Sequence, residues 1–223
     1  MKPLAISDID GTIFRSSLVI ELNRALVKYG VFPPIVEKEI EHHYIKWVNR
    51  KGDYDDYINQ VIKAFDKRIE GCSVEDIKRV SEVVIKEQKD KVYRFTRDLI
   101  KEIKKKYVLV AISGSPIEIV KIFARKWGFE VFYGTFHYSK NGRYTGEINV
   151  PARNKEKVVL DLKNKTGWSL KNSIGVGDTE TDIGFLKLVS KPICFNPNKK
   201  LYNIAKKNDW KIVVERKDMV YKI

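Results

Sequence analysis

Cysteine is nearly absent. Cys72 and Cys194 lie far apart and form no metal-spaced pair, which excludes a disulfide-stapled secreted scaffold and a thiolate metal site. A reducing cytoplasm is the compartment that fits. Long apolar runs are missing as well. Asp8 and Asp10 interrupt the N-terminal hydrophobic stretch before it reaches signal-peptide length, and no stretch approaches the roughly 18 apolar residues of a membrane span. No membrane partner is therefore expected. Internal repeats and low-complexity segments are also lacking. Acidic residues are in deficit, 29 Asp and Glu against 43 Lys and Arg, for a net charge of +14.

That excess is unevenly spread. Residues 15–92 are close to neutral, with 15 basic and 14 acidic side chains, whereas the rest of the chain carries 28 and 15. The surplus consists of scattered lysines such as Lys104 to Lys106, Lys199 to Lys200 and Lys206 to Lys207, with no continuous basic tail and no arginine-aromatic motif. Solvated helix faces account for it, and no nucleic-acid partner is expected. Nothing in the sequence specifies an oligomeric state.

Two acidic clusters are the informative presence: DIDGT at Asp8 to Thr12 and GDTETD at Gly177 to Asp182. Each follows a short apolar run, Leu4 to Ile6 and Ile174 to Val176, that reads as a buried strand. Both clusters thus emerge at the carboxyl ends of strands, where open α/β sheets bind ligands. Carboxylates gathered there repel one another unless a cation offsets them, and oxygen-only ligands suit Mg²⁺.

The chain is long enough, at 223 residues with 43% hydrophobic content, to bury a full core. After Thr12 come four helix-like stretches, about Ser17 to Tyr29, Ile35 to Arg50, Tyr54 to Ile69 and Ser73 to Tyr93. Gly30, Gly52 and Gly71 punctuate them. Ser73 with Asp76 forms an N-terminal capping pattern. From residue 94 the pattern alternates: a helix through Ile103, a strand Val108 to Ile112, and a helix Pro116 to Trp127. A hairpin follows, with Asn141-Gly142 inside Val131 to Ile148. Next come a helix Asn154 to Lys165, the strand at Ile174, a helix Ile183 to Val189, and strands at Ile193 and Ile212 to Val214. The expected fold is a doubly wound, mostly parallel α/β sheet. Its core comprises residues 1–14 and 93–223, and residues 15–92 form an inserted helical cap.

DIDGT, then ISGS ending the next core strand, then a lysine at a helix start, then GDTETD, resembles the four ordered motifs of the haloacid dehalogenase superfamily. The insertion directly after the first motif is similar to the helical cap of its phosphoserine-phosphatase-like branch. Residue chemistry and resemblance point the same way. Asp8 is the candidate nucleophile of a phosphatase working through an aspartyl phosphate. The resemblance assigns Asp10 the roles of general acid and then base, with its backbone carbonyl on the metal. Thr12 offers a hydroxyl, and Ser113 with Gly114 supplies donors beside a helix N-terminus for phosphate. Lys155 is the expected neutralising cation, although Arg153 and Lys157 stand two residues to either side. The metal set is Asp8, Asp10 and Asp178. The resemblance has Asp182 act through a water or by orienting Lys155; a carboxylate there also suits a helix N-terminus. The adjacent His42 and His43 read as cap-surface residues.

Substrate recognition is where the pattern departs from phosphoserine phosphatases. In that branch an early acidic residue and a cap arginine grip the amino acid. Here the corresponding early position is Ser17, and the matching cap stretch reads Asn59-Gln60-Val61. The remaining candidates for specificity are Arg15, Ser17, Tyr54, Tyr57 and Asn59. The expected substrate is a small phosphorylated metabolite, with free phosphoserine a poor fit. The cap is expected to move and to exclude water.

Overall fold

A computed structural model describes residues 2–223. Its centre is an eight-stranded sheet in the order β4-β3-β2-β1-β5-β6-β7-β8. The strands are β1 (Leu4–Ser7), β2 (Val108–Pro116), β3 (Val131–Lys140), β4 (Arg143–Asn149), β5 (Ile174–Gly177), β6 (Lys191–Phe195), β7 (Lys211–Arg216) and β8 (Met219–Lys222). The pairs among β3, β2, β1, β5, β6 and β7 are parallel, while β3–β4 and β7–β8 are antiparallel. The sheet is doubly wound, and β1 is buried at its middle, flanked by β2 and β5. All four residues of β1 are buried, as a continuous apolar strand covered on both faces must be. The direction of winding reverses beside β1, so its carboxyl end opens into the topological crevice.

Between β1 and α5 (Arg94–Ile103) lie α1 (Leu18–Lys28), α2 (Ile35–Val48), α3 (Tyr54–Ile69) and α4 (Val74–Gln88). The core helices after α5 are α6 (Ile117–Trp127), α7 (Lys155–Thr166), the short α8 (Ile183–Leu186) and α9 (Lys199–Lys207). Caps explain several boundaries. The side chains of Asp53, Asn154 and Asn198 accept the main-chain N–H of Asp56, Lys157 and Leu201 at the starts of α3, α7 and α9, satisfying donors that a first helical turn leaves open. Gly128 ends α6 in the left-handed conformation, φ +83°, at little steric cost.

Several local expectations need correction. The fourth helix stops at Gln88, not Tyr93: Lys89 and Asp90 turn the chain, and Val92 then bridges Phe14. Ser73 caps α4 with no side-chain hydrogen bond, and Asp76 instead pairs with Arg79 at 3.1 Å. The helix α9 and the strand β8 were not anticipated. β8 is an exposed edge strand whose sequence, MVYK, lacks a long alternating pattern.

The inserted helices share the core of the sheet. One hydrophobic cluster runs from Ile9, Ile13 and Phe14 through Leu18, Leu22 and Val84 to Ile119 and Phe123. Phe14 meets Phe123 edge-on, with ring centroids 5.6 Å apart. The two crossings of the chain are tied: Arg15 N–H donates to the Lys91 carbonyl at 2.9 Å, and Phe14 bridges Val92. Buried Glu21 completes this neck by accepting from Ser16 Oγ at 2.7 Å, Gln88 Nε2 at 2.9 Å and Lys91 Nζ at 2.8 Å. Burial pushes its carboxyl up, and the hydrogen bonds from Lys91, Ser16 and Gln88 outweigh that and hold it below the ordinary range.

Candidate active site

The carboxyl ends of β1, β2 and β5, with the first turn of α7, converge on one buried cluster. Asp8 leaves β1 only 5% exposed. Its Oδ1 accepts from Lys155 Nζ at 2.6 Å, and the same ammonium reaches Asp182 Oδ1 at 2.6 Å. Lys155 is itself buried, so this is a desolvated carboxylate-lysine-carboxylate chain. Burial opposes the charge of Lys155, but the attraction of Asp182 and Asp8 exceeds it and holds the ammonium well above its usual pKa. The ambiguity among neighbouring cations resolves here. Lys157 is exposed and pairs with Asp161 at 2.6 Å, and Arg153 is exposed at the rim.

Asp182 bonds both to Lys155 and to the turn after β5. Besides Lys155, it accepts the main-chain N–H of Asp178 at 3.0 Å and of Thr179 at 3.1 Å through Oδ2. The cluster therefore holds the start of the helical turn after β5 and aims Lys155 at Asp8. This packing requires Gly177: a Cβ there would meet Asp182 Cβ at 2.5 Å.

Asp10, like Asp182, accepts three hydrogen bonds through its carboxylate. Its Oδ1 accepts the Leu18 N–H at 2.6 Å, and its Oδ2 accepts Ser113 Oγ at 2.5 Å and Ser115 Oγ at 3.0 Å. Ser115 Oγ also accepts the Val19 N–H at 3.1 Å. Asp10 thus fastens the first turn of α1 to the end of β2. The hydroxyl of Ser113 is engaged by Asp10, not turned to open space, while Gly114 remains exposed. The sequence reading missed Ser115; the repeated Ser-x-Ser of SGSP, which puts two hydroxyls two residues apart, was the available signal.

Thr12 is fully buried and donates to Asp178 Oδ1 at 3.0 Å, so its hydroxyl orients that carboxylate. Gly11 has φ +79°, and a Cβ there would lie 2.2 Å from Asp178 Oδ2. Only glycine lets the loop after β1 approach the acidic side chain of β5 so closely. Burial raises the carboxyl of Asp8 to about 7, with Lys155 opposing and Asp182 and Asp10 adding to the rise. Asp178 is raised well above the ordinary range by burial, then by Asp8 and Asp182. Asp8 Oδ2 is buried without a hydrogen-bond partner.

An orphaned carboxylate oxygen beside a second desolvated carboxylate is an excess of acceptors, which a hard divalent cation satisfies. Among the described residues no three His, Cys, Asp or Glu side chains form a metal cage. The fit is therefore to two carboxylates, Asp8 and Asp178, completed by main-chain oxygen and water.

Above the cluster lies a cleft of about 720 Å³, roofed by α3 and by Trp47 of α2. Arg15, Ser17, Tyr54 and Asn59 line it. Tyr57 does not. It is 2% exposed, and it lines a separate cavity of about 640 Å³ between α1, α2 and α3 with Arg24 and Tyr44. Tyr57 is rotated about 100° around α3 from its neighbour Ile58, and Trp47, itself in the cleft wall, stacks on Tyr57 with ring centroids 5.5 Å apart. His42 lies on the surface and His43 is half-buried. His137 and Asp66, which joins it at 3.2 Å, also line the cleft and were not anticipated, because the pair forms only when α3 meets β3.

Fold and site together define an α/β hydrolytic centre built on a strand-end aspartate under a helical roof. The haloacid dehalogenase-like hydrolase family matches residues 5–187. A phosphoserine phosphatase of Mycobacterium tuberculosis is 28% identical over 149 residues, covering 65% of this chain and 48% of its own; the chain spans about half the length of that relative. Among solved structures, a Bordetella pertussis protein of unknown function superposes with a TM-score of 0.76 at 18% identity, covering 95% of this chain and 98% of its own. A substrate-bound phosphoserine phosphatase complex superposes at 0.64 and 20% identity, covering 98% and 95%. The chain belongs to the haloacid dehalogenase-like hydrolase family.

Proposed function

We propose that the protein hydrolyses a small phosphorylated metabolite through an aspartyl phosphate on Asp8, with Mg²⁺ bound by Asp8, Asp178 and the Asp10 carbonyl. The observation that carries this reading is the buried Asp8 carboxylate, with one oxygen on Lys155 and the other without a partner. Asp8 attacks phosphorus, and the bond from phosphorus to the alcohol oxygen breaks. Asp10 gives that oxygen a proton. In the second half Asp10 takes a proton from water, the water oxygen bonds phosphorus, and the Asp8–phosphorus bond breaks to release phosphate. Lys155 offsets charge on the phosphoryl group. Mg²⁺ held by Asp8, Asp178 and the Asp10 carbonyl would supply positive charge to the phosphoryl oxygens. Ser113 and Gly114 supply donors to phosphate once Asp10 exchanges its present hydroxyl partner for the leaving group.

Residues 15–92 act in this scheme as the cap, covering the site and selecting the substrate. Asp8→Asn is the direct test. Phosphate release from a generic phosphomonoester in the presence of Mg²⁺ should fall by about three orders of magnitude or more, while circular dichroism stays native. Retained activity would overturn the assignment of Asp8.

A further inference from the structure

We infer that the alcohol released by this enzyme carries an extended apolar body, recognised by the face of α3 that bears Tyr54, Ile58, Ile62 and Phe65. This inference rests on the phosphatase reading above and names the class of its substrate.

The four side chains recur at helical spacing and all line the cleft. Eleven residues separate the first from the last, so at a rise of 1.5 Å per residue the stripe runs about 16 Å along the roof. Ile148 and Val150, from the end of β4, face the same space, and Trp47 lies beside Tyr54 with ring centroids 5.2 Å apart. Ile58 and Ile62 are only half-buried. Apolar side chains left partly open in a deep concavity are characteristic of a ligand wall.

Two charged groups of the lining outside the catalytic cluster are committed elsewhere. Asp66 holds His137, and Glu180 holds Asn198 and, at 2.6 Å, Lys200. Outside the catalytic cluster, the charged lining residues without an ion pair among the described residues are Arg15, Asp55 and Arg153. All three are exposed, and Arg15 lies over the Tyr93 ring at 5.6 Å. A free amino acid needs buried partners for its ammonium and carboxylate groups, or it loses their hydration without return. It would also leave most of the α3 stripe uncovered. An apolar alcohol covers the stripe and gains from leaving water.

The test compares kcat/KM, by phosphate release with Mg²⁺, for ethyl, butyl, hexyl and octyl phosphate, benzyl and 3-phenylpropyl phosphate, and O-phosphoserine. The linear esters share a primary-alcohol leaving group of even reactivity, so their slope reports binding of the body. The expected rise is roughly two- to fourfold per methylene until the cleft is filled, with O-phosphoserine below hexyl phosphate. Ile62→Asn and, separately, Ile58→Asn should flatten that slope; the pair keeps the test decisive if one variant fails to fold. A 3-phenylpropyl value above hexyl assigns the wall to an aromatic alcohol, and the reverse order to an aliphatic one. A flat series, or O-phosphoserine preferred to octyl phosphate, overturns the inference while leaving the phosphatase reading intact. Calorimetry on Asp8→Asn separates the two readings from the other side. Octyl phosphate bound at least tenfold tighter than ethyl phosphate, with no ester hydrolysed by the native enzyme, sinks the phosphatase reading and keeps the wall. Neither binding nor turnover sinks both.

Discussion

Lys155 stands between two buried carboxylates, and its removal isolates two charges in the core. Breaking a buried ion pair from one side costs about 3–5 kcal/mol. Lys155→Met should therefore lower the melting temperature by several degrees as well as abolish turnover, and saturating Mg²⁺ should restore part of the stability and none of the rate. Asp178→Ala should weaken Mg²⁺ binding in a calorimetric titration, since a direct ligand is lost. Asp10→Asn retains the backbone carbonyl, so Mg²⁺ affinity should change little while turnover slows. The hydrogen bonds of Asp10 add a consequence of their own. An amide puts an NH₂ donor in place of one of the two oxygens that accepted from Leu18, Ser113 and Ser115, so the variant should also melt earlier than native protein. Unchanged Mg²⁺ affinity in Asp178→Ala, or an Asp10→Asn protein as stable as native, would contradict these roles.

Elements matter most at the neck between insertion and sheet and at the strand ends. Glu21 on α1 ties Ser16 on the outgoing chain to Gln88 and Lys91 on the return. Glu21→Ala removes the acceptor shared by these part-buried donors, at about 0.5–1.5 kcal/mol for each hydrogen bond lost, and hydrogen exchange should accelerate first in α1 and in residues 88–92. At the strand ends, the carboxyls of Asp8 and Asp178 are raised by burial in the metal-free protein. For an acid whose folded pKa lies above its unfolded value of 3.8, the native state binds more protons between the two values, so stability falls as pH rises through that interval. For Asp8 the interval runs to about 7. Metal-free protein should therefore lose melting temperature from about pH 4 to pH 7. Mg²⁺ favours the ionised carboxylates, so the gain on adding it should be larger at pH 8 than at pH 5. A metal-induced shift independent of pH would show that these carboxylates do not bind the cation.

At the scale of the whole molecule, the insertion and the sheet share one hydrophobic core. Excising residues 15–92 would strip Leu18, Leu22 and Val84 from the cluster that includes Phe14, Ile119 and Phe123. A Gly/Ser replacement should give an aggregation-prone chain without a cooperative melt, as measured by light scattering and calorimetry. A soluble, cooperatively melting core would show instead that the insertion is energetically separate. The arrangement also locates where motion is cheapest. α2 buries only Val36 and exposes Ile35, Tyr44, Ile45 and Val48, whereas α1 and α4 are embedded against α6. Opening of the roof is thus expected in α2 and α3, with α1 and α4 staying on the sheet.

The sequence alone determined the doubly wound core, the strand ends carrying Asp8, Asp10 and Asp178, the hairpin at Asn141-Gly142, and the start of α7 at Lys155. These are local matters: short β-branched runs, a two-residue turn, and fixed spacings within a strand or a first helical turn carry them. The tertiary structure decided what depends on two distant segments meeting. The rotation of α3 about its axis, set by packing on α1 and α2, turned Tyr57 away from the cleft and Ile58 and Ile62 toward it. The close approach of Gly11 to Asp178 turned the Thr12 hydroxyl onto a carboxylate, and the docking of α1 on β2 engaged Ser115 and Ser113 with Asp10. α9 and β8 were hidden for the same reason. α9 buries only Leu201 and Ala205, too narrow a stripe to mark a helix without the sheet beneath it, and β8 owes its conformation to the hydrogen bonds of β7.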